Sequence, residues 1–201
     1  MIRTVLAAFA AIVLAGACSS ARATIDRPAR VEVFGDSIAA ESAPQLGVEL
    51  TRAGWVPYVD GHGGSAITGG LTVGSWPREI QQELTRFRPN VVVIELGTNG
   101  CSCGSNLATG IDDVMRVLRG VNRVYWINVR VGAPIPSQPV AINDAIENAT
   151  DRWPNLHVID MNRRFRHSPE LITADHIHLN TPGIAVFAEM IVSALPKVVT
   201  A

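Results

Sequence analysis

Five short runs of β-type residues alternate with segments of helical character from residue 30 onward. The runs are Arg30–Phe34, Trp55–Val59, Val91–Leu96, Arg123–Val129 and Leu156–Ile159. Within the third run, Val91-Val92-Val93-Ile94 is apolar without alternation, which is typical of a strand covered on both faces. The predicted helices are about Glu41–Ala53, Trp76–Phe87, Ile111–Leu118, Val140–Arg152 and Pro182–Leu195. This alternation predicts an α/β fold, a three-layer α/β/α sandwich around a five-stranded parallel sheet.

Polar clusters follow the predicted strands. Ser37 comes after the first strand, the segment Gly61-His62-Gly63-Gly64-Ser65 after the second, and Gly97-Thr98-Asn99-Gly100 after the third. Asp175-His176-Ile177-His178 lies between the last strand and the last helix. Ligands of parallel sheets bind outside the carboxyl ends of the strands, so we expect these four clusters to meet at one edge of the sheet.

The first 23 residues differ from the rest and predict an export signal. One arginine precedes an apolar run over residues 5–14, which is too short for a confident membrane span. Two processing sites compete. Ala21-Arg22-Ala23 fits signal-peptidase cleavage before Thr24, whereas Leu14-Ala15-Gly16-Ala17-Cys18 resembles a bacterial lipobox that would leave Cys18 lipidated. The sequence slightly favours the second. Residues 24–29 form a short polar tether, and residues 30–201 form one domain.

Composition narrows the class of protein. The chain has 201 residues, of which 47% are apolar and 17% charged, which is typical of a globular domain with a sizeable core. Its net charge of −1 provides no basic surface for nucleic acid. Both processing routes leave Cys101 and Cys103 as the remaining thiols in an oxidising compartment, so the two residues are candidates for a disulfide.

Three of the polar clusters resemble the sequence blocks of the SGNH (GDSL-type) hydrolase superfamily. They are Gly35-Asp36-Ser37, Gly97-Thr98-Asn99, and Asp175 with His178 in an Asp-x-x-His motif. The resemblance implies a flavodoxin-like SGNH hydrolase fold and a further block with a catalytic glycine, assigned to Gly64 with Gly63 as the alternative. Residues 95–100, 153–160 and 174–183 resemble free-standing relatives of the SGNH domains attached to envelope O-acyltransferases.

The chemistry of these residue types leads to the same interpretation. A serine hydroxyl needs a base to become a nucleophile, and His178 can take the proton of Ser37. Asp175 can orient the histidine and stabilise its charged form. The Ser37 and Gly64 amides and the Asn99 side chain could donate to the oxyanion of a tetrahedral intermediate. Asp36 is expected to bond turn amides, and His176 to point away from His178 in an extended segment.

Two other patterns compete with this interpretation. Gly100-Cys101-Ser102-Cys103-Gly104 matches the G-x-S-x-G nucleophile elbow, although it begins several residues past a strand end. Cys101, Cys103, His176 and His178 could supply a tetrahedral zinc set, although Cys-x-Cys and His-x-His are unusual spacings for one. We favour neither, and predict no metal.

The predicted function is that of an exported serine esterase, either secreted or lipid-anchored in the cell envelope. It would cleave an ester of an envelope glycan or a small acyl ester through an acyl-enzyme, without a cofactor. The alternatives are an O-acyltransferase of envelope polysaccharide and a catalytically inert glycan-binding module. We expect a monomer that binds no nucleic acid.

Overall fold

Five parallel strands form the centre of the computed structural model, which describes residues 28–70, 72–104, 106–132, 134 and 138–198. They are β1 (Arg30–Gly35), β2 (Val56–Gly61), β3 (Val91–Glu95), β4 (Arg123–Ile127) and β5 (Leu156–Ile159). The strand order is β2-β1-β3-β4-β5, and every neighbouring pair is parallel. The predicted export signal, Cys18 and most of the predicted tether lie outside the described residues.

Helices cover both faces of the sheet. They are α1 (Ser37–Arg52), α2 (Trp76–Arg86), α3 (Leu107–Leu118), α4 (Pro139–Ala149), α5 (Met161–Phe165) and α6 (Thr181–Ala194), with a 3₁₀ turn at Pro169–Leu171. Residues of α1 and α6 pack on one face, and residues of α2, α3 and α4 on the other. The predicted α/β/α sandwich is therefore confirmed. Within the described part of the chain, no helix combines the length and apolar character that a bilayer span requires.

The two cores follow from the alternation of side chains along each strand. Val31 and Val33 of β1 face the core beneath α1 and α6, whereas Phe34 faces the opposite core. All five residues of β3 are buried, as its apolar residues 91–94 predicted, and the fifth is the acidic Glu95. Because β1 lies between β2 and β3, the chain that leaves β1 enters the middle of the carboxyl edge.

The first helix begins one turn earlier than the sequence predicted. Asp36 caps α1, because its side-chain Oδ1 accepts a hydrogen bond from the Ile38 amide at 2.9 Å. This cap makes Ser37 the first helical residue, and the helix continues through Pro44. Asn106 likewise caps α3 and moves its start ahead of the predicted Ile111. The helix α5 was not predicted, since it is only a short turn.

Glu32 is a fully buried carboxyl group in β1. Neither of its side-chain oxygens has a hydrogen-bond partner among the described residues. Burial, helped by the nearby carboxylates of Glu83 and Asp60, raises the pKa of Glu32 to about 8, and Arg86 opposes the shift. The side chain is therefore mainly protonated at neutral pH, which keeps an unpaired charge out of the core.

We expect the Glu32→Gln substitution to reduce the loss of stability as pH rises. Between about pH 5 and pH 8, the unfolded state releases the Glu32 proton while the folded state retains it, so rising pH favours unfolding. The full shift corresponds to at most roughly 5 kcal/mol at about 1.4 kcal/mol per pKa unit. Urea unfolding should therefore show the glutamine variant close to the parent near pH 5 and more stable than the parent near pH 9.

The matched control is Glu189→Gln, which neutralises an exposed carboxylate on α6. Its free energy of unfolding should follow that of the parent across the same pH range. If the Glu32→Gln protein loses stability with pH as steeply as the parent, Glu32 is not the group responsible.

Candidate active site

Ser37 lies where β1 turns into α1, at the carboxyl end of an interior strand of the sheet. The Asp36 cap fixes this turn and leaves the Ser37 side chain half-buried at the first helical position. Gly35 permits the tight turn, because a Cβ at that position would lie 2.4 Å from the Ala39 Cβ. The local sequence therefore presents a serine hydroxyl at a helix start.

A chain of hydrogen bonds joins Ser37, His178 and Asp175. The Ser37 Oγ lies 2.8 Å from His178 Nε2, and His178 Nδ1 lies 2.6 Å from Asp175 Oδ2. The other oxygen of Asp175 accepts hydrogen bonds from the Ile177 amide at 2.8 Å, the His178 amide at 3.0 Å and the Thr173 hydroxyl at 2.5 Å. This geometry can pass a proton from the serine to the imidazole while the carboxylate fixes the ring.

The pKa values of the histidine and the aspartate move in opposite directions. The hydrogen bond from His178, followed by that from Thr173, holds the pKa of Asp175 well below its usual range. The hydrogen bond to Asp175 raises the pKa of His178, and the carboxylates of Glu41 and Asp36 add to the rise. Partial burial of the imidazole opposes it. The two residues therefore stabilise each other as an imidazolium–carboxylate pair, which forms when the ring takes a proton.

The segment that carries Asp175 and His178 is a tight turn and not the extended segment considered for His176. Its ends are tied by the pairing of Ile172 with Leu179, and its centre contains His176 with a φ of +60°. The guanidinium of Arg130, just beyond β4, donates a hydrogen bond to the His176 carbonyl. The His176 side chain lines a separate cavity of about 210 Å³ together with Arg130.

Three backbone amides near Ser37 are available to donate hydrogen bonds to an oxyanion. Among the described residues, the amides of Ser37, Gly63 and Gly64 have no hydrogen-bond acceptor. A Cβ built at Gly63 would lie 3.9 Å from the Ser37 Cβ, whereas one at Gly64 would have no neighbour within 4 Å. The Cβ direction of Gly63 therefore points toward Ser37, whereas that of Gly64 does not, and the choice of oxyanion glycine stays a prediction.

Asn99 lies at the same edge, but its side-chain nitrogen already has two acceptors. It donates to Asp36 Oδ2 and to the Ser65 carbonyl, each at 3.1 Å. These bonds hold Asn99 beside the loop that contains Gly63 and Gly64. To donate to an oxyanion, the amide must exchange one of these acceptors for the new oxygen.

Sequence reasoning missed Glu95, which lies beneath the Ser37 turn. Its Oε2 accepts hydrogen bonds from the Asp36 and Ala39 amides, each at 3.2 Å. Complete burial and the Asp36 charge raise the pKa of Glu95, because two adjacent buried carboxylates disfavour each other's charged form. A single acidic residue at the end of an apolar strand was the available signal.

A disulfide joins Cys101 and Cys103 in the loop that follows Asn99. This loop is fastened to the glycine-containing loop, because the carbonyls of Gly100 and Cys101 accept hydrogen bonds from the Ile67 and Thr68 amides. The alternative zinc set is not present, since its two sulfurs are bonded to each other. Ser102, the serine of the alternative elbow, is exposed and has no hydrogen bond to a histidine among the described residues.

The sequence of residues 33–186 matches the GDSL-like Lipase/Acylhydrolase family. The chain belongs to this family. The match begins in β1 and ends in α6, so it contains every candidate active-site residue named above. The predicted resemblance to SGNH hydrolases is therefore confirmed.

The chain is also similar to individual O-acetyltransferases, one in sequence and one in structure. O-acetyltransferase OatA of Staphylococcus aureus strain NCTC 8325 is 29% identical over 104 residues, which are 52% of this chain and 16% of the relative. The chain thus corresponds to a small part of the curated relatives that it matches. The solved catalytic domain of Streptococcus pneumoniae peptidoglycan O-acetyltransferase A is 18% identical with a TM-score of 0.64, covering 83% of this chain and 92% of that one.

An esterase has a similar structure. Psychrotrophic esterase EstA from Pseudoalteromonas sp. is 15% identical with a TM-score of 0.64, covering 82% of this chain and 95% of that one. At these identities, both structural neighbours demonstrate a common fold. They do not distinguish hydrolysis from acyl transfer, because one is an esterase and the other an acetyltransferase.

Proposed function

We propose that the protein is an exported serine esterase that cleaves an acyl ester of a cell-envelope glycan or of a small alcohol. The main support is the continuous hydrogen-bond chain from Ser37 through His178 to Asp175. Membership of the acylhydrolase family supports the reaction class, and the O-acetyltransferase relatives support an envelope substrate. The predicted signal at residues 1–23 supports export.

The reaction has two stages. His178 Nε2 takes the Ser37 proton as Oγ attacks the carbonyl carbon, and free amides at Ser37 and Gly63 donate to the oxyanion. The imidazolium then returns the proton to the alcohol oxygen as the carbon–oxygen bond breaks, which leaves an acyl-serine. In the second stage water attacks the acyl carbon while His178 accepts a proton from that water. The imidazolium then gives this proton to Ser37 Oγ as the bond between Oγ and the acyl carbon breaks, and the carboxylic acid leaves.

Acyl transfer is the second candidate, because relatives of this chain are O-acetyltransferases. It requires the same acyl-serine and replaces water with a sugar hydroxyl in the second stage. The discriminating measurement is product analysis with an acetyl ester donor and a chitooligosaccharide acceptor. Free acetate alone supports the esterase, whereas acetylated oligosaccharide supports the transferase.

The direct test of the proposal is labelling of the mature protein with a fluorophosphonate, followed by peptide mass spectrometry. We expect one adduct, located on Ser37, together with hydrolysis of p-nitrophenyl acetate. A panel of acyl esters that includes O-acetylated envelope glycans then defines the substrate. A folded protein that is neither labelled nor active on aryl esters would support the inert glycan-binding alternative and contradict the proposal.

The pH dependence of kcat/KM should report the ionisation of His178 in the free enzyme. The ring must be neutral to accept the serine proton, so activity should fall as pH decreases through its pKa. Because Asp175 raises this pKa, the acidic limb should have its midpoint above the ordinary histidine value of about 6.5. A pH profile of p-nitrophenyl acetate hydrolysis measures it, and a midpoint well below that value would contradict the assigned base.

A further inference from the structure

Glu41 is a carboxylate at the active site that the proposed reaction does not use. It lies four residues after Ser37 in α1, so both side chains project from the same face of the helix. Its Oε1 is 3.8 Å from His178 Nε2, and about half of its side chain is exposed. Among the described residues, the Glu41 side chain has no hydrogen-bond partner and no arginine or lysine partner within ion-pair distance.

Glu41 lies on the side of His178 where the alcohol part of an ester must bind. The alcohol oxygen must come within about 3 Å of His178 Nε2, because that atom returns the proton when the ester bond breaks. Glu41 Oε1 lies 3.8 Å from the same nitrogen, so the substituents next to the alcohol oxygen must pass close to the carboxylate. The acyl part, by contrast, is attached to the carbon that Ser37 attacks.

The charged groups that face His178 are carboxylates. Asp175 and Asp36 also face the imidazole, and both raise its pKa together with Glu41. The nearby guanidinium of Arg130 is directed to the His176 carbonyl on the other side of the turn. Three carboxylates therefore surround the imidazole, and among the described residues Glu41 has the carboxylate oxygen within ion-pair distance of Nε2.

We propose that Glu41 selects the alcohol part of the substrate by its charge. The carboxylate favours alcohols with an ammonium or hydroxyl donor beside the ester oxygen, as in a sugar, and disfavours alcohols with a carboxylate or phosphate there. This inference rests on the proposed serine esterase function. Glu41 then contacts the substrate directly but takes no part in proton transfer.

The test compares two acetyl esters that differ in charge and have nearly the same shape, acetylcholine and 3,3-dimethylbutyl acetate. The parent should show a kcat/KM about two- to fivefold higher for the cationic ester, as expected for a partly exposed charge pair. This ratio should fall close to one in Glu41→Gln. It should also fall with added salt in the parent, since salt screens exposed charges. If hydrolysis of both esters is too slow, inhibition of p-nitrophenyl acetate hydrolysis by choline and by 3,3-dimethylbutanol provides the same ratio.

Glu49→Gln is the matched control, because Glu49 lies on the same helix and pairs with Arg52 away from the site. It should retain the ratio of the parent. An equal ratio in the parent and Glu41→Gln would overturn the inference while leaving the esterase proposal in place. Absence of aryl ester hydrolysis by the parent would instead overturn the proposed function, and the inference with it.

Discussion

Replacing Ser37 with alanine should lower kcat/KM for p-nitrophenyl acetate by roughly 10⁵- to 10⁶-fold and abolish fluorophosphonate labelling. The substitution removes the atom that forms the acyl-enzyme, and the remaining oxyanion donors provide only a small residual rate. Because Ser37 and His178 act as one unit through their 2.8 Å contact, adding His178→Ala should cost little more. Aryl ester kinetics and intact-mass analysis after labelling measure both effects.

Ser102→Ala is the control, since Ser102 is the serine of the competing G-x-S-x-G pattern. This exposed residue lies between the two bonded cysteines, and its replacement should change kcat/KM by less than about twofold. If labelling is retained in Ser37→Ala and lost in Ser102→Ala, the nucleophile has been assigned to the wrong serine. A circular dichroism spectrum equal to that of the parent excludes misfolding as the cause.

The Asp175→Asn substitution should reduce kcat by about 10²- to 10⁴-fold near neutral pH. An asparagine amide can donate to His178 Nδ1, which favours the ring tautomer whose Nε2 carries a hydrogen toward Ser37 and cannot accept another. The loss is expected to be smaller than for Ser37→Ala, because the serine and its base remain. Asp175 is also about half exposed, so water can partly replace its carboxylate.

The same variant should shift the pH profile. Without the aspartate, the midpoint of the acidic limb of kcat/KM should move to lower pH, because the largest cause of the raised His178 pKa is removed. Asp113→Asn, which neutralises an exposed carboxylate paired with Arg116, should change neither kcat nor the profile. An Asp175→Asn enzyme with the activity and profile of the parent would show that another group orients His178.

Topology explains why most of the site could be predicted from the sequence. A parallel sheet brings the carboxyl ends of its strands together, so Ser37 and Asn99 could be placed on one edge by locating two strands. Asp175 and His178 follow no strand directly, and the Asp-x-x-His spacing identified them. The sequence could not decide between Gly63 and Gly64, because that choice depends on how a loop without regular structure turns beside the serine.

The interactions beneath the site were not predictable in the same way. The hydrogen bonds from the Asp36 and Ala39 amides to Glu95 depend on the relative positions of two strand ends, which no residue pattern encodes. The hydrogen bonds from the Asn99 amide to Asp36 and to the Ser65 carbonyl were also not predictable, because they join three separate loops, and the role of Asn99 at an oxyanion stays a prediction. The position of Glu41 beside His178 depends on how α1 faces the turn that carries the histidine.

The contact between Ser37 and His178 joins residues 141 positions apart in the chain. The nucleophile is made early during synthesis of the chain, whereas its base lies in the final part of the domain, just before α6. The serine can therefore acquire its reactivity only after nearly the whole polypeptide has been made and has folded. Labelling by a fluorophosphonate would then report folded molecules, and an incomplete chain would remain unlabelled.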